Sequence, residues 1–308
     1  MKKLAMGIDI GGTFIKGGIV DDTGNIIIED KIPSSHDEEE IINAIAELCN
    51  GMLTAVNLNK SDVVGIGMGV PGMIDERNGE VVYSNNLGWE KFKIAERLHE
   101  KTGLPVKISN DANVAALAEV KFGCAKGFKN AVMITLGTGV GSGIIIDGRI
   151  YGGNRTAGAE LGHSVIVAGG ERCTCGRRGC FEAYASATAL VRDTKRAMQA
   201  HPESNMWEEF TLETADGRTP FSCKDTDAAA KEVVDNYIEK LSCGIINVAN
   251  EFRPEAIILG GGVCAQGDNL IRPVQEKLNA ELFGGKFGPR VEVRIAKLKN
   301  SAGLLGGA

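Results

Sequence analysis

The chain has 308 residues, of which 43% are hydrophobic, and its formal net charge is −6 at pH 7. This length and composition can bury one large core or two moderate ones, and the length favours two domains. The lysines and arginines form no block, and no apolar run is long enough to cross a membrane. The composition therefore argues against a nucleic-acid or membrane surface and favours small-molecule partners.

The first apolar run, residues 4–10, predicts a buried β-strand that enters a glycine turn and returns as a second strand over residues 14–20. A glycine turn leaves backbone N–H groups open to a phosphate chain. Asp9 ends the first strand with a carboxylate suited to Mg²⁺, and Thr13 and Lys16 add a hydroxyl and a cation. The turn is a candidate phosphate site, although an ordinary hairpin would explain its glycines equally well.

Two longer elements follow the first hairpin. Residues 37–57 have an acidic first turn and apolar residues at helical spacing, which predicts a helix that serves packing. Residues 63–70 form an apolar run that ends at Pro71 and Gly72, which predicts a buried strand.

A short strand over residues 106–109 is predicted to run through Asn110 and Asp111 into a helix over residues 114–122. Either side chain could simply cap the helix, which is a common role for Asn and Asp. Alternatively, an ionised carboxylate at the tip of a strand in an α/β sheet faces the crevice where ligands bind. Asp111 is therefore a candidate base.

The first hairpin is repeated downstream. Residues 131–136 predict a strand, residues 137–141 a glycine-rich bend, and residues 142–146 the return strand. Each copy has Gly-Thr at its bend and Asp-Gly or Asp-Thr-Gly after its return strand. A matched pair of this kind indicates an internal duplication and favours a phosphate-binding role over a chance turn.

A cysteine cluster lies shortly after the second hairpin. His163, Cys173, Cys175 and Cys180 offer one imidazole and three thiols at a spacing that can fold around one Zn²⁺ ion. The alternative is a set of ordinary buried cysteines beside a core histidine. Clustered thiols of metal-site spacing also favour a reducing compartment, and we expect a cytoplasmic protein.

The rest of the chain is predicted to be largely helical around one more strand. Residues 201–227 are polar and irregular, and we interpret them as an insert or helical connection. The remaining predicted elements are a helical region over 183–241, a helix over 240–251, a strand over 256–259 that enters Gly260-Gly261-Gly262, a strand over 291–296 and a terminal helix over 302–308.

Several short motifs resemble, in their order along the chain, those of the ROK family of sugar kinases and repressors. The resemblance runs from residue 4 to about residue 305. The motifs are Gly7-Ile-Asp9-Ile-Gly11-Gly12-Thr13, Gly69-Val-Pro71-Gly72, Asn110-Asp111-Ala-Asn113, Leu136-Gly137-Thr138-Gly139-Val-Gly141, Glu160-Leu-Gly-His163, Cys173-x-Cys175-Gly-x-x-Gly-Cys180-x-Glu182 and Leu259-Gly260-Gly261-Gly262.

The resemblance implies an α/β protein with the actin-like ATPase fold, in which two ribonuclease-H-like domains surround a central cleft. We expect a small N-terminal domain over residues 1–115 and a larger one over residues 116–297, with a C-terminal helix of about residues 298–308 returning to the first. The family resemblance further implies a homodimer or a dimer of dimers.

The resemblance also implies the role of each site residue. Asp111 would be the general base that receives the proton of the sugar's primary hydroxyl, and His163, Cys173, Cys175 and Cys180 would hold a structural Zn²⁺. The residues implied to bind sugar are Gly72, Asn86, Asn110, Asp111, Glu160, His163 and Glu182. The residues implied to bind ATP and its Mg²⁺ are Asp9, Gly11, Gly12, Thr13, Lys16, Thr138, Gly139, Gly261 and Gly262.

Within the family, the chain is most similar to the glucokinase branch, which implies ATP-dependent phosphorylation of the 6-hydroxyl of D-glucose, a step of glycolysis. N-acetylmannosamine, N-acetylglucosamine, allose and fructose are alternative substrates. A sugar-responsive repressor would need a winged helix-turn-helix ahead of the first hairpin, and here the first predicted strand begins at residue 4. A non-catalytic sugar sensor predicts loss of the base or the phosphate glycines, and Asp9, Gly12, Asp111 and Gly139 are present.

Overall fold

The computed structural model describes residues 3–154 and 157–308. Residues 1 and 2, where the expected first domain starts, lie outside this part. Contacts between Cα atoms divide the chain into two compact units, the first built from Met1–Ala131, Gly143–Ala159 and Lys297–Ala308, and the second from Val132–Ser142 and Glu160–Ala296. The domain boundaries expected after residues 115 and 297 stay a prediction.

The chain contains thirteen named strands and ten named α-helices among the described residues. The strands are β1 (Leu4–Ile10), β2 (Phe14–Asp21), β3 (Ile26–Pro33), β4 (Val63–Val70), β5 (Met73–Asp75), β6 (Glu80–Ser84), β7 (Trp89–Phe92), β8 (Val106–Asn110), β9 (Ala131–Leu136), β10 (Val140–Ile146), β11 (Arg149–Ile150), β12 (Ala256–Gly260) and β13 (Glu292–Ile295). The helices are α1 (Glu38–Ala55), α2 (Ile94–Thr102), α3 (Asp111–Lys121), α4 (Glu182–Ala185), α5 (Ala187–Ala200), α6 (Met206–Glu209), α7 (Thr219–Cys223), α8 (Ala228–Phe252), α9 (Asp268–Glu281) and α10 (Ala302–Gly307).

The first sheet has the strand order β3-β2-β1-β4-β8. β1 pairs antiparallel with β2 and parallel with β4, and β4 pairs parallel with β8. The carboxyl ends of β1, β4 and β8 therefore lie at one edge of the sheet, which is where ligands bind in α/β proteins. Asp9 lies beside Gly69 and Val70 beside Asn110 at this edge.

The second sheet repeats this arrangement with the order β11-β10-β9-β12-β13. In each sheet a central strand is flanked on one side by its hairpin partner and on the other by strands that arrive later in the chain. The duplicated hairpin is confirmed, and the molecule has the α/β actin-like ATPase fold that the resemblance implies. A small sheet of β5, β6 and β7 is added between β4 and β8 in the chain.

The core of the first sheet explains why helix α1 forms where it does. Asp37 caps the helix, because its carboxylate accepts hydrogen bonds from the backbone N–H groups of Glu39 and Glu40, each at 2.9 Å. The apolar face predicted from the spacing is buried in the cluster that also holds Met6 and Ile8 of β1. The helix thus covers the sheet, as expected.

The C-terminal helix α10 packs against β1 and β4 in the first unit. Glycine makes this approach possible, because a Cβ at Gly7 would overlap the carbonyl oxygen of Leu304 and one at Gly67 would overlap that of Gly307. A Cβ at Gly303 would likewise overlap the carboxylate of Asp9. The end of the chain thereby lies against the hairpin of β1 and β2.

Several predicted boundaries were wrong by one to three residues; helix α1, for example, ends at Ala55 instead of residue 57. Helix α3 starts at Asp111 instead of residue 114, because Asn110 caps it, and β10 starts at Val140 instead of residue 142. The stretch 201–227 contains the short helices α6 and α7, in agreement with a helical connection. Among the described residues, no helix is both long and apolar enough to span a membrane.

Candidate active site

The Asp111 carboxylate lies at the junction of β8 and α3. Asn110 is the helix cap, since its side-chain oxygen accepts from the N–H groups of Ala112 at 2.9 Å and Asn113 at 3.4 Å. The capping alternative thus belongs to Asn110, while Asp111 keeps an exposed carboxylate that accepts from the Ala112 N–H at 2.9 Å. Such a group is placed to accept a proton from a ligand.

The Asn110 amide also joins the helix start to the loop after β4. Its Nδ2 donates to the carbonyl oxygen of Gly72 at 3.1 Å. Gly72 has a φ of 121°, and a Cβ there would overlap the carbonyl oxygen of Tyr83, so the position requires glycine. The structure therefore brings together Gly72, Asn110 and Asp111 of the predicted sugar set.

Asn86 of that set is exposed in the turn between β6 and β7. His36, which the sequence did not single out, fixes this turn: its Nδ1 lies 2.9 Å from the Leu87 carbonyl oxygen, and its own carbonyl oxygen accepts from Trp89 Nε1 at 3.0 Å. Because these partners are about fifty residues away in the chain, no local pattern could have identified His36.

The first hairpin places Asp9 directly across from Lys16 in the β1–β2 pairing. Its bend is closed by the Gly11 N–H, which donates to the Phe14 carbonyl oxygen at 3.0 Å. Burial raises the pKa of Asp9, the nearby charge of Asp111 raises it further, and Lys16 opposes both. Desolvation by the surrounding protein atoms also raises the pKa of Asp111, although water can still reach its carboxylate, and its backbone hydrogen bonds oppose that shift. A cation beside Asp9 would keep this pair of carboxylates ionised.

The four predicted zinc ligands meet in the second unit. One ligand atom from each of His163, Cys173, Cys175 and Cys180 lies within 4.8 Å of the others. Cys173 Sγ is 3.8 Å from His163 Nδ1, and Cys175 Sγ is 3.7 Å from Cys180 Sγ. Tetrahedral Zn²⁺ with bonds of about 2.0–2.3 Å needs ligand separations of this size. The donor set and its geometry fit a structural zinc ion, and all eight cysteines are free thiols.

Glu182 begins helix α4, two residues after the last cysteine of the cluster. Its Oε2 accepts from the backbone N–H of Val140 at 3.0 Å, and its Oε1 accepts from Thr174 Oγ1 at 3.0 Å. Gly139 is so close that a Cβ there would overlap Oε2. The carboxylate thus joins the cysteine loop, residues 173–180, to the hairpin of β9 and β10.

Glu160 directly precedes a short 3-10 turn, Leu161–His163, and His163 is the last residue of that turn, which packs on the same hairpin. The Leu161 N–H donates to Ser142 Oγ at 3.1 Å, and a Cβ at Gly162 would overlap the Val140 carbonyl oxygen. Glu160 is exposed and His163 is half-buried. The second unit therefore gathers Glu160, His163, Glu182 and Gly139 around one hairpin.

The predicted adenosine glycines follow β12. Gly261 has a φ of 94°, and a Cβ there would overlap the Leu136 carbonyl oxygen, so only glycine fits. Gly262 faces open space among the described residues. Thr138 is exposed at the bend between β9 and β10, which the Ala187 N–H fixes by donating to the Gly137 carbonyl oxygen at 2.8 Å.

Comparison with known proteins supports the family resemblance that the motifs indicate. Residues 5–308 match the sequence model of the ROK family. The chain is 39% identical to a glucokinase of Halalkalibacterium halodurans, covering 98% of this chain and 93% of that one, and 38% identical to a glucokinase of Streptomyces coelicolor, covering 99% and 96%. The crystal structure of a ROK family glucokinase from Streptomyces griseus with glucose and AMPPNP superposes with a TM-score of 0.79 at 33% identity, covering 99% and 98%.

Proposed function

Because the chain belongs to the ROK family, we propose that it is an ATP-dependent glucokinase that phosphorylates the 6-hydroxyl of D-glucose. One observation carries this proposal: Asn110 takes over the capping of α3 and leaves Asp111 with an exposed carboxylate beside the Asp9 hairpin. Helix capping does not require a carboxylate at position 111, because Asn110 already caps α3. A phosphoryl-transfer site, in contrast, needs a base next to its phosphate-binding groups.

Asp111 would act as the base. The 6-hydroxyl oxygen of glucose attacks the terminal phosphorus of ATP, the bond from that phosphorus to the bridging oxygen of ADP breaks, and the hydroxyl proton passes to a carboxylate oxygen of Asp111. The transition state of phosphoryl transfer is loose, so positioning and charge neutralisation supply most of the acceleration. The raised pKa of Asp111 makes it a stronger base than an ordinary aspartate.

Asp9, Gly11, Gly12, Thr13 and Lys16 would meet the terminal phosphates, Thr138 and Gly139 the other side of the phosphate chain, and Gly261 and Gly262 the adenosine. Asp9 would hold Mg²⁺, which when bound offsets the charge of the phosphates. The position of Asp9 supports this role, because its carboxylate is half-buried, lies across from Lys16 in the hairpin and is near the charge of Asp111.

The sugar would be held by Gly72, Asn86, Asn110, Glu160, His163 and Glu182. Ionised carboxylates suit this task because each oxygen accepts strong hydrogen bonds from hydroxyl groups. His163 would give Nδ1 to Zn²⁺, since that atom faces Cys173 Sγ, and would keep Nε2 for a sugar hydroxyl. The Zn²⁺ would be structural and would fix the loop that carries Glu182.

We further propose that the protein forms a homodimer or a dimer of dimers and works in the cytoplasm. Support for the assembly comes from the family resemblance alone, and light scattering of the purified protein would test it. The free cysteine cluster supports a reducing compartment.

The test is an assay of the purified protein with D-glucose, ATP and Mg²⁺ that detects glucose 6-phosphate and ADP by mass spectrometry. We expect both products in equal amounts. Asp111→Asn is the matched control, because it removes the base while keeping the size of the side chain. Formation of ADP without a sugar phosphate, or no reaction with any hexose, would contradict the proposal.

A further inference from the structure

Both oxygens of the Glu182 carboxylate are used inside the second unit. Oε1 accepts from the Thr174 hydroxyl and Oε2 from the Val140 N–H, each at 3.0 Å, and Cys173 Sγ lies 3.6 Å from Oε1. The two partners come from different parts of the chain. A carboxylate that is held at both oxygens has one orientation, and losing either partner gives it rotational freedom.

Thr174 is the residue between two predicted zinc ligands, Cys173 and Cys175. Backbone hydrogen bonds hold this part of the loop closed: the Cys173 N–H donates to the Arg177 carbonyl oxygen at 2.9 Å, and the Gly176 N–H donates to the Cys173 carbonyl oxygen at 3.1 Å. The Thr174 side chain itself is exposed and belongs to no apolar cluster. Its hydroxyl is therefore fixed by the loop, and its visible role is the bond to Glu182.

Val140 is the first residue of β10, directly after the Gly139 bend of the second phosphate hairpin. Its N–H reaches outside the sheet to Glu182, and the absence of a side chain at Gly139 lets the carboxylate approach. Glu182 thus holds the backbone N–H of the residue that directly follows this bend.

We propose that Thr174 is a positioning residue that sets the Glu182 carboxylate, and that Glu182 transmits the state of the zinc loop to the phosphate hairpin at residues 137–141. The sugar and the nucleotide thereby share one carboxylate, which couples their binding. The identification of the two ligands as sugar and nucleotide rests on the proposed glucokinase function. The mechanical link, from Thr174 through Glu182 to Val140, rests on the hydrogen bonds alone.

The experiment compares Thr174→Val, which keeps the shape and removes the hydroxyl, with Thr174→Ser, which keeps the hydroxyl. Thr54→Val is the matched control, because Thr54 is equally exposed and its hydroxyl donates within helix α1 to Asn50. Hydrogen exchange of a peptide covering residues 137–142, zinc content, and KM and kcat for glucose and ATP are measured on each zinc-loaded protein.

We expect Thr174→Val to keep one zinc per chain, to exchange faster at residues 137–142, and to raise KM for both substrates about three- to tenfold, the effect expected from losing one ordinary hydrogen bond. Thr174→Ser and Thr54→Val should behave as the wild type. Unchanged exchange and KM in Thr174→Val, failure of Thr174→Ser to restore them, or loss of zinc from Thr174→Val would each overturn the positioning role. A wild type inactive on glucose whose variants still follow the exchange pattern would refute the glucokinase function and leave the mechanical link standing.

Discussion

The negative charge of Asp111 raises the pKa of Asp9, although the two residues belong to strands β8 and β1 that are separated by β4. The fold holds both carboxylates at the same sheet edge, and desolvation by the surrounding protein atoms adds to the cost of ionising each of them. Two like charges in a partly desolvated site are unfavourable until a cation and a substrate arrive. Holding the two ionised carboxylates this close therefore costs stability in the ligand-free protein.

Asp111→Asn should lower kcat by at least about a hundredfold while glucose binding is largely kept, because the variant loses the base but retains the shape and the Ala112 contact. Steady-state kinetics and calorimetric titration with glucose would measure the two quantities. Asp22→Asn, at an exposed position, is the control and should remain fully active. Near-normal turnover of Asp111→Asn would remove this residue from the mechanism.

The same substitution should raise the melting temperature of the ligand-free protein at neutral pH. A carboxyl whose pKa is raised by folding binds its proton more tightly in the folded state, so its contribution to stability is present below the unfolded pKa and is lost as pH rises through the folded pKa. At pH 7 the ionised carboxylate of Asp111 thus destabilises the folded protein, and the Asp111→Asn variant lacks this charge. Below the ordinary aspartate value of 3.8 the two proteins should melt alike. Equal melting temperatures at pH 7 would show that desolvation of the Asp111 carboxylate does not lower the stability.

The sequence predicts best where an element is long, apolar and bounded by glycine or proline. Strands β1, β4 and β9 match their predicted limits. Strand β3 and the sheet of β5, β6 and β7 were missed, because β3 is an edge strand with a mostly exposed middle and the other three have only three to five residues. Runs of that length show no clear periodicity.

Local sequence patterns also predict the candidate active site only in part. Residue types and their order along the chain identified the candidate groups, but their partners are far away in sequence. Asn110 and Gly72 are separated by 38 residues, and Glu182 and Val140 by 42. The fully buried Glu119, which accepts from the Leu298 N–H at 2.7 Å across 179 residues, was not predicted at all. Such pairs depend on tertiary packing, which no local pattern encodes.

Substitution of one predicted zinc ligand tests the metal cluster. We expect about one Zn²⁺ per chain, and Cys175→Ser should lower zinc affinity at least about tenfold and reduce stability and glucose affinity together, because the loop that carries Glu182 loses its anchor. Cys243→Ser is the control, since Cys243 lies in α8 outside the cluster. Plasma emission spectrometry, thermal melting and glucose titration would measure these changes. A zinc-free protein that is fully folded and active would refute the site.

Two glycine substitutions should have opposite effects on stability. Gly67→Ala should destabilise the protein by about 1–3 kcal/mol, because its Cβ would overlap the backbone of α10. Gly51→Ala should stabilise it by about 0.5–1 kcal/mol, since Gly51 lies inside helix α1 and faces open space among the described residues. Urea unfolding of both variants measures the difference. Equal free energies of unfolding would show that α10 does not depend on the close approach at Gly67.

Substrate choice is the last prediction: D-glucose should have a kcat/KM at least about a hundredfold above that of any N-acetylhexosamine. The predicted sugar groups are carboxylates and amides, of which Glu160 and Asn86 are exposed and Glu182 is held by two donors. An acetamido group replaces the 2-hydroxyl by a bulkier amide with a methyl group, which needs an apolar recess and leaves a hydroxyl-binding acceptor unpaired. Glucose, N-acetylmannosamine and N-acetylglucosamine at equal concentration, with the phosphorylated products separated by mass spectrometry, would decide the preference. Preferential phosphorylation of either N-acetylhexosamine would refute the glucose assignment and leave the role of Asp111 as the base intact.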